Sequence, residues 1–278
     1  MRIVFIGHLS IDINSAGGAE HTLYGGGVLH GSITACRLGA DATVYTKCAE
    51  GDRHRFSEIA AAGVKVIFLP SETSTSIRND YPSANPDDRR SRLLSGAAAF
   101  TAQDLDAIDA DVLHINPLWF GEFPTDLIPV ARKKAAVLGA DAQGFLRHVL
   151  ADGRMEYQDF EDKHLYLPFF DVFKVDQKEA RILTGHEDNL QAASKLREWG
   201  ASTIILTHSQ GVCVHDATGF YEAPFTRYSI EGRTGRGDTC TAAFIVARAR
   251  ANAAEATRIA AEITSRKMQY AGPYKGSL

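Results

Sequence analysis

The sequence predicts an α/β fold with a mostly parallel central sheet, and three observations predict it. Short β-branched apolar runs recur along the chain. Amphipathic stretches of helix length separate them. Several of those stretches end in glycine, as helix C-termini often do. The predicted strands are Ile3 to Ile6, Thr43 to Thr46, Val64 to Leu69, Val112 to Ile115, Ala135 to Leu138, Val172 to Val175 and Thr203 to Leu206. Their apolar residues are contiguous rather than alternating, as in strands covered on both faces. The predicted helices between them are Val28 to Leu38, Phe56 to Ala62, Thr101 to Ile108, Pro124 to Lys134, Gln177 to Thr184 and Leu190 to Gly200. Strand–helix alternation implies right-handed crossovers between parallel strands.

Two segments break the rhythm. Residues near 12–24 are polar and glycine-bearing where a crossover helix would otherwise begin, and residues near 71–97 carry Thr73, Thr75 and Ile77 before a second β-like run, Ser91 to Leu94. Both read as strands of a small extra sheet, a lid or an oligomer contact, on a single domain spanning 1–278. The charged run Asp87 to Arg90 reads as a solvated turn between those strands. From Arg236 onward the chain is alanine-rich and helical, with a break near Ala251 to Ala254.

Composition excludes several classes. Of 278 residues, 45% are hydrophobic and 23% charged, which rules out disorder and coiled coil. A net charge of −4 supplies no basic field for nucleic acid. No apolar run approaches the roughly 18 residues of a membrane span. The four cysteines, Cys36, Cys48, Cys213 and Cys240, have no C-x-x-C spacing, so reduced thiols in a cytoplasmic protein are expected.

The strongest local signal is Glu231-Gly232-Arg233-Thr234-Gly235-Arg236-Gly237-Asp238 at the start of a long helix. A glycine-rich turn feeding a helix N-terminus presents unpaired N–H groups at the positive end of the helix dipole, a site for phosphate oxygens. Asp238, in the first turn beside that site, could take a proton from an attacking hydroxyl. Spacing alone leaves open that Asp238 merely caps the helix. The motif is neither a Walker A loop nor a dinucleotide fingerprint.

Gly232 to Phe244 resembles the C-terminal signature D-T-x-G-A-G-D of the ribokinase-like (PfkB) carbohydrate kinases. Three further blocks resemble that family in the expected order: Gly7 to Asp12; Gly25-Gly26-Gly27 with its helix to Gly39; and Phe173 to Glu179 with Leu183-Thr184-Gly185. The resemblance implies a three-layer α/β/α fold with a small β lid and a kinase transferring the γ-phosphoryl group of ATP to a hydroxyl of a sugar or cyclic polyol. It implies Asp238 as the base and Gly235, Arg236 and Gly237 as the anion hole. Asp12, Gly25, Gly26 and His30 would meet substrate, with Asn116, Asp141 and Gln143 completing a polyol pocket or serving only as turn and cap residues. Thr207 and Gly211 would meet the nucleotide, while Glu179 and Asp176 would act as outer-shell carboxylates for Mg2+. A homodimer through the lid is compatible with the projecting segments.

A narrower resemblance, carried by His114 to Phe123, Ala140 to Phe145 and the Glu-Gly-Arg-Thr-Gly-Arg-Gly-Asp variant, is to the inositol kinase branch, which makes myo-inositol the favoured acceptor. Ribose, fructose, ketodeoxygluconate or a nucleoside are alternative acceptors, and a non-catalytic polyol sensor is the alternative class. The chain also departs from the family. Gly232 stands where an aspartate associated with a monovalent-cation site is usual. Arg236 replaces a small residue, to clamp phosphate or to face solvent. Asp176 replaces the asparagine of N-x-x-E, Val28 and His30 alter the first signature, and the nucleotide loop is shortened to Thr207-His208-Ser209-Gln210-Gly211.

Overall fold

The structure, a computed structural model, describes residues 1–82, 89–226 and 232–276. Its strands run in chain order as β1 (Arg2–Ile6), β2 (Ser10–Ala16), β3 (Ala19–Gly25), β4 (Asp41–Cys48), β5 (Lys65–Pro70), β6 (Thr75–Tyr81), β7 (Arg90–Ser95) and β8 (Ala110–Ile115). They continue as β9 (Ala135–Asp141), β10 (Arg147–Val149), β11 (Arg154–Tyr157), β12 (Val172–Asp176), β13 (Thr203–Thr207), β14 (Gly211–Asp216) and β15 (Gly219–Pro224). The helices are α1 (Gly27–Arg37), α2 (Ser57–Ala61), α3 (Ile128–Arg132), α4 (Gln143–Leu146), α5 (Lys163–Tyr166), α6 (Gln177–Thr184), α7 (Asn189–Glu198), α8 (Arg236–Arg248) and α9 (Ala253–Lys267).

A nine-stranded sheet has the order β15-β14-β13-β12-β9-β8-β1-β4-β5, parallel from β13 to β5 and antiparallel at β14 and β15. The two-residue side-chain period of β1 explains its layers. Ile3 and Phe5 enter a core shared with Leu29, Ile33, Phe244 and Ala260 on the α1, α8 and α9 side. Val4 and Ile6 enter another with Leu113, Phe145, Phe173 and Leu206 on the opposite face. The sheet is thus covered on both faces, the three-layer α/β/α arrangement that the resemblance implies. Helix α8 is buried from Thr239 to Ala247, and its alanines let α9 lie close against it.

The second sheet, β10-β11-β7-β6-β2-β3, leaves the first at the end of β1. That junction is buried and satisfied: the His8 N–H donates to Glu122 Oε1 at 2.7 Å and the Leu9 N–H to Thr46 Oγ1 at 2.9 Å. Beneath it lies a small core of Ile77, Leu118, Trp119 and Met155.

The seven predicted strands of the main sheet and both projecting segments are present. Of the expected turn at Asp87 to Arg90, Asp87 and Asp88 lie outside the described residues, as does Glu231, and Arg90 begins β7. Other elements differ. Thr101 to Ile108 forms only a 3-10 turn, Ala102–Leu105, opened by the Thr101–Asp104 capping box. Pro124 to Lys134 is a 3-10 turn followed by the short α3. Of the Phe56 to Ala62 helix, Ser57–Ala61 is α-helical, entered through a 3-10 turn over Glu50–Phe56. The break between the last helices falls at residues 249–252, where the Asn252 side chain caps α9 by accepting from the Glu255 N–H. The sequence reading also missed two hairpins: β14 and β15, which extend the main sheet, and β10 and β11, which extend the second. No helix among the described residues is long and apolar enough to cross a membrane.

The turn carrying Gln143 is fitted tightly against the end of β8, since a Cβ at Gly144 would stand 2.2 Å from Pro117 Cγ. Gly144→Ala should therefore cost about 1–3 kcal/mol of stability, seen as a lower midpoint in thermal unfolding.

Candidate active site

In open α/β sheets, ligands bind beyond the carboxyl ends of the strands where the strand order reverses. Here the reversal lies between β1, whose chain continues toward β4, and β8, on its other side. The Asn116 N–H, just past β8, donates to the Ile6 carbonyl at 2.8 Å and locks the two strand ends together. A cleft of about 1010 Å³ opens there between the two sheets and the N-terminus of α8. Asp12, Gly25, Gly26, His30, Asn116, Asp141, Gln143, Asp176, Thr207, Gly235, Arg236, Gly237 and Asp238 all line it.

Two residues named from the sequence do not. Gly211 opens β14, paired with Pro224, and its Cβ would meet the Ala223 carbonyl at 2.5 Å, so it is packed against a strand. Glu179 is buried beneath Asp176. The two make reciprocal caps on α6, the Glu179 N–H donating to Asp176 Oδ1 at 2.8 Å and the Asp176 N–H to Glu179 Oε2 at 2.7 Å. Burial and the neighbouring Asp176 charge push Glu179 up to about 8.

Gly235 is the N-cap of α8 with φ of 76°, and a Cβ there would lie 2.1 Å from His30 Cγ. Conformation and space both demand glycine. Asp238 occupies the first turn, and its Oδ1 is 2.6 Å from where a Gly27 Cβ would be, which brings the two glycine motifs into contact. Burial and the Asp141 charge raise Asp238 to about 6, against the pull of Lys174.

Lys174, in the middle of β12, was not singled out as a site residue. It is buried, with Nζ 3.7 Å from Asp141 Oδ1 and 3.9 Å from Glu179 Oε2, and a Gly237 Cβ would be 2.9 Å from it. Burial works to deprotonate it, but Asp141, Glu179 and Asp238 hold its pKa well above the usual lysine value. The signal was available: a lysine inside an apolar strand is almost never buried unless paired. Asp141 is raised by burial yet held below the usual carboxylate range by Lys174, His114 and Asn116, whose Nδ2 donates to Asp141 Oδ2 at 2.5 Å.

The far end of the cleft belongs to the second sheet. Burial raises Asp12, with Ser10, Arg147 and Arg89 pulling it down. Arg147 on β10 is itself buried, lowered to about 10 by burial and Arg89. Asn79 on β6 and Ser91 on β7 pair across the sheet, the Ser91 hydroxyl donating to Asn79 Oδ1 at 2.7 Å, while Asn79 Nδ2 donates to Asn14 Oδ1 at 3.0 Å. Asp12 Oδ1, His30 Nδ1, Asn116 Oδ1 and Asp141 Oδ1 are buried and make no hydrogen bond within the protein. A polyol presents hydroxyls that satisfy such atoms. Among the described residues no group of three or more His, Cys, Asp or Glu side chains could hold a metal ion. Asp176, one carboxylate at the cleft wall, fits an ion such as Mg2+ that is carried mainly by donor phosphates and water.

A helix N-terminus, a buried carboxylate and a buried ammonium facing a hydroxyl-accepting pocket define a phosphotransferase with an alcohol acceptor. The chain belongs to the pfkB family of carbohydrate kinases, whose pattern matches residues 2–277. Three solved structures are similar over nearly the whole chain. One is a pyrophosphate-dependent kinase of the ribokinase family with a pyrophosphate analogue and myo-inositol, at 47% identity and a TM-score of 0.93, covering 98% of this chain and 97% of that one. Another is a pyrophosphate-dependent ribokinase-family kinase in complex with sulfate, at 48% identity and 0.94, with coverages of 98% and 97%. The third, at 46% and 0.92 with coverages of 98% and 95%, is a pyrophosphate-dependent myo-inositol-1 kinase converted into a myo-inositol-3 kinase by an Asn→Leu and a Ser→Leu substitution. No curated protein matches the sequence.

With Asp238 as base, turnover should fall below about pH 6 as its carboxylate takes up a proton. Asp141→Asn, by removing a charge that raises Asp238, should move the acid limb of the kcat profile to lower pH. Asp238→Asn should cost about 10²–10⁴-fold in kcat while acceptor binding by calorimetry persists.

Proposed function

We propose that the protein is a pyrophosphate-dependent kinase that phosphorylates myo-inositol. The observation that carries the donor is the wall around Gly235 to Asp238, lined by Lys174, Arg233 and Arg236, together with the pyrophosphate dependence of the similar kinases. Such a wall suits a compact, highly charged donor without a base to seat, and Gly211 lies outside it. Pyrophosphate thus takes the place that the family resemblance gave to ATP.

In this reading Asp12 and Asn116 grip inositol hydroxyls while Asp238 accepts the proton of one of them. That oxygen attacks the near phosphorus, the bridging P–O bond breaks, and inorganic phosphate leaves with the electron pair. Lys174 and the first-turn amides of α8 stabilise charge on the transferring group. Asp176 is the residue that would hold Mg2+, which when bound would neutralise donor charge. The second sheet acts as a lid that shields the acceptor from water.

The Asn79–Ser91 pair is the natural counterpart of the Asn and Ser exchanged in the similar myo-inositol-1 kinase. We assign it to choosing which hydroxyl faces Asp238.

The reading is tested by initial rates with Mg-pyrophosphate and Mg-ATP against myo-inositol, ribose, fructose, ketodeoxygluconate and adenosine. Pyrophosphate with myo-inositol should lead any other pair by about 100-fold in kcat/KM, a gap that a site built for particular polar groups can supply. Faster turnover with ATP would discard the donor, and faster turnover of another acceptor would discard inositol. Replacing both Asn79 and Ser91 by Leu should change the position of the phosphate ester read by 31P–1H NMR.

A further inference from the structure

Lys267, at the end of α9, is fully buried, with no measurable exposure. Its Nζ donates to two main-chain carbonyls, that of Gly232 at 2.6 Å and that of Thr234. Burial lowers it to about 8, and the Asp238 carboxylate works the other way. At neutral pH it is therefore mostly an ammonium.

The two carbonyls belong to the turn that delivers Gly235 to α8. The turn is clamped on both sides: a Cβ at Gly232 would lie 2.0 Å from the Met268 carbonyl oxygen, and one at Gly235 would overlap His30. No peptide among the described residues is cis. In a trans peptide the carbonyl of one residue and the N–H of the next point in opposite directions. Drawing the carbonyls of residues 232 and 234 toward Lys267 thus turns the N–H groups of Arg233 and Gly235 away from it. Two buried carbonyls converging on one point without a donor would be costly.

We propose that Lys267 is a tethered cation for the anion hole. Its ammonium orients the peptides of the 232–235 turn and adds positive charge behind the transferring phosphoryl group, so that the reaction needs no added monovalent cation. It is a positioning residue that touches neither substrate nor donor. The proposal rests on the phosphoryl-transfer reading above.

The test uses Lys267→Ala, which leaves an ammonium-sized space between the carbonyls, and Lys267→Met, which fills that space without charge. Both should lose about 100-fold in kcat, the scale of an oxyanion-hole defect, with the acceptor KM little changed. Ammonium or methylammonium chloride should restore the Ala variant saturably, against tetramethylammonium chloride at matched ionic strength, and should leave the kcat of the Met variant unchanged. Wild-type kcat should be the same in potassium and tetramethylammonium salts. A Met variant with wild-type kcat, a folded Ala variant that ammonium does not restore, or a wild-type enzyme that requires potassium would each overturn the proposal. Ammonium should also raise the Tm of the Ala variant and not that of the wild type, because a ligand of the folded state stabilises it. That readout decides the role of Lys267 even if no donor supports turnover in the wild type, an outcome that would instead sink the kinase reading.

Discussion

The Lys174 ammonium, buried among Asp141, Glu179 and Asp238, is the interaction on which the site depends. These four groups come from β9, from β12 and the adjoining α6, and from α8, three stretches far apart in sequence. In a dry interior each charge is tolerable only while its partners stay close, so removing one leaves the others uncompensated. The arrangement ties the carboxyl edge of the sheet to the N-terminus of α8. It also sets the acid at the head of α8: Asp141 lifts Asp238 while Lys174 restrains it, leaving a carboxylate near 6 that is ionised at neutral pH and suited to the base role proposed for it.

Around that centre the cleft divides by chemistry. The α8 end carries helix amides, Lys174 and arginines, an environment for phosphate. The second sheet carries Asp12, Asn14, Asn79 and Ser91, an environment for hydroxyls. Asn116 and Asp238 stand where the two ends meet, both against Gly27. This geometry suits in-line transfer, in which positioning and charge matter more than covalent participation.

The linear chain made part of this legible. The contiguous apolar runs marked the parallel strands because strands buried on both faces need no alternation. Gly235-Arg236-Gly237-Asp238 was readable because tight turn, helix start and acid are all local properties. Lys174 lay in plain view within an apolar strand, yet its role depended on Asp141 and Asp238, each more than 30 residues away. Arg147, Asn79 and Ser91 carried no such mark: polar residues on short strands read alike whether they face solvent or a cleft. The 211–224 hairpin was missed because its strands sit at the sheet edge after the parallel rhythm ends.

The amino-acid sequence by itself determined the layered architecture, the family and the acid at the head of α8, since periodicity, turn chemistry and ordered motifs act over a few residues. Only the tertiary structure decided that Gly211 and Glu179 stand off the cleft, that Asp176 faces it, and that Lys267 reaches the turn ahead of Gly235. Those outcomes depend on how α6, α9 and the β14–β15 hairpin pack against the sheet, and packing between distant segments leaves no periodic trace along the chain.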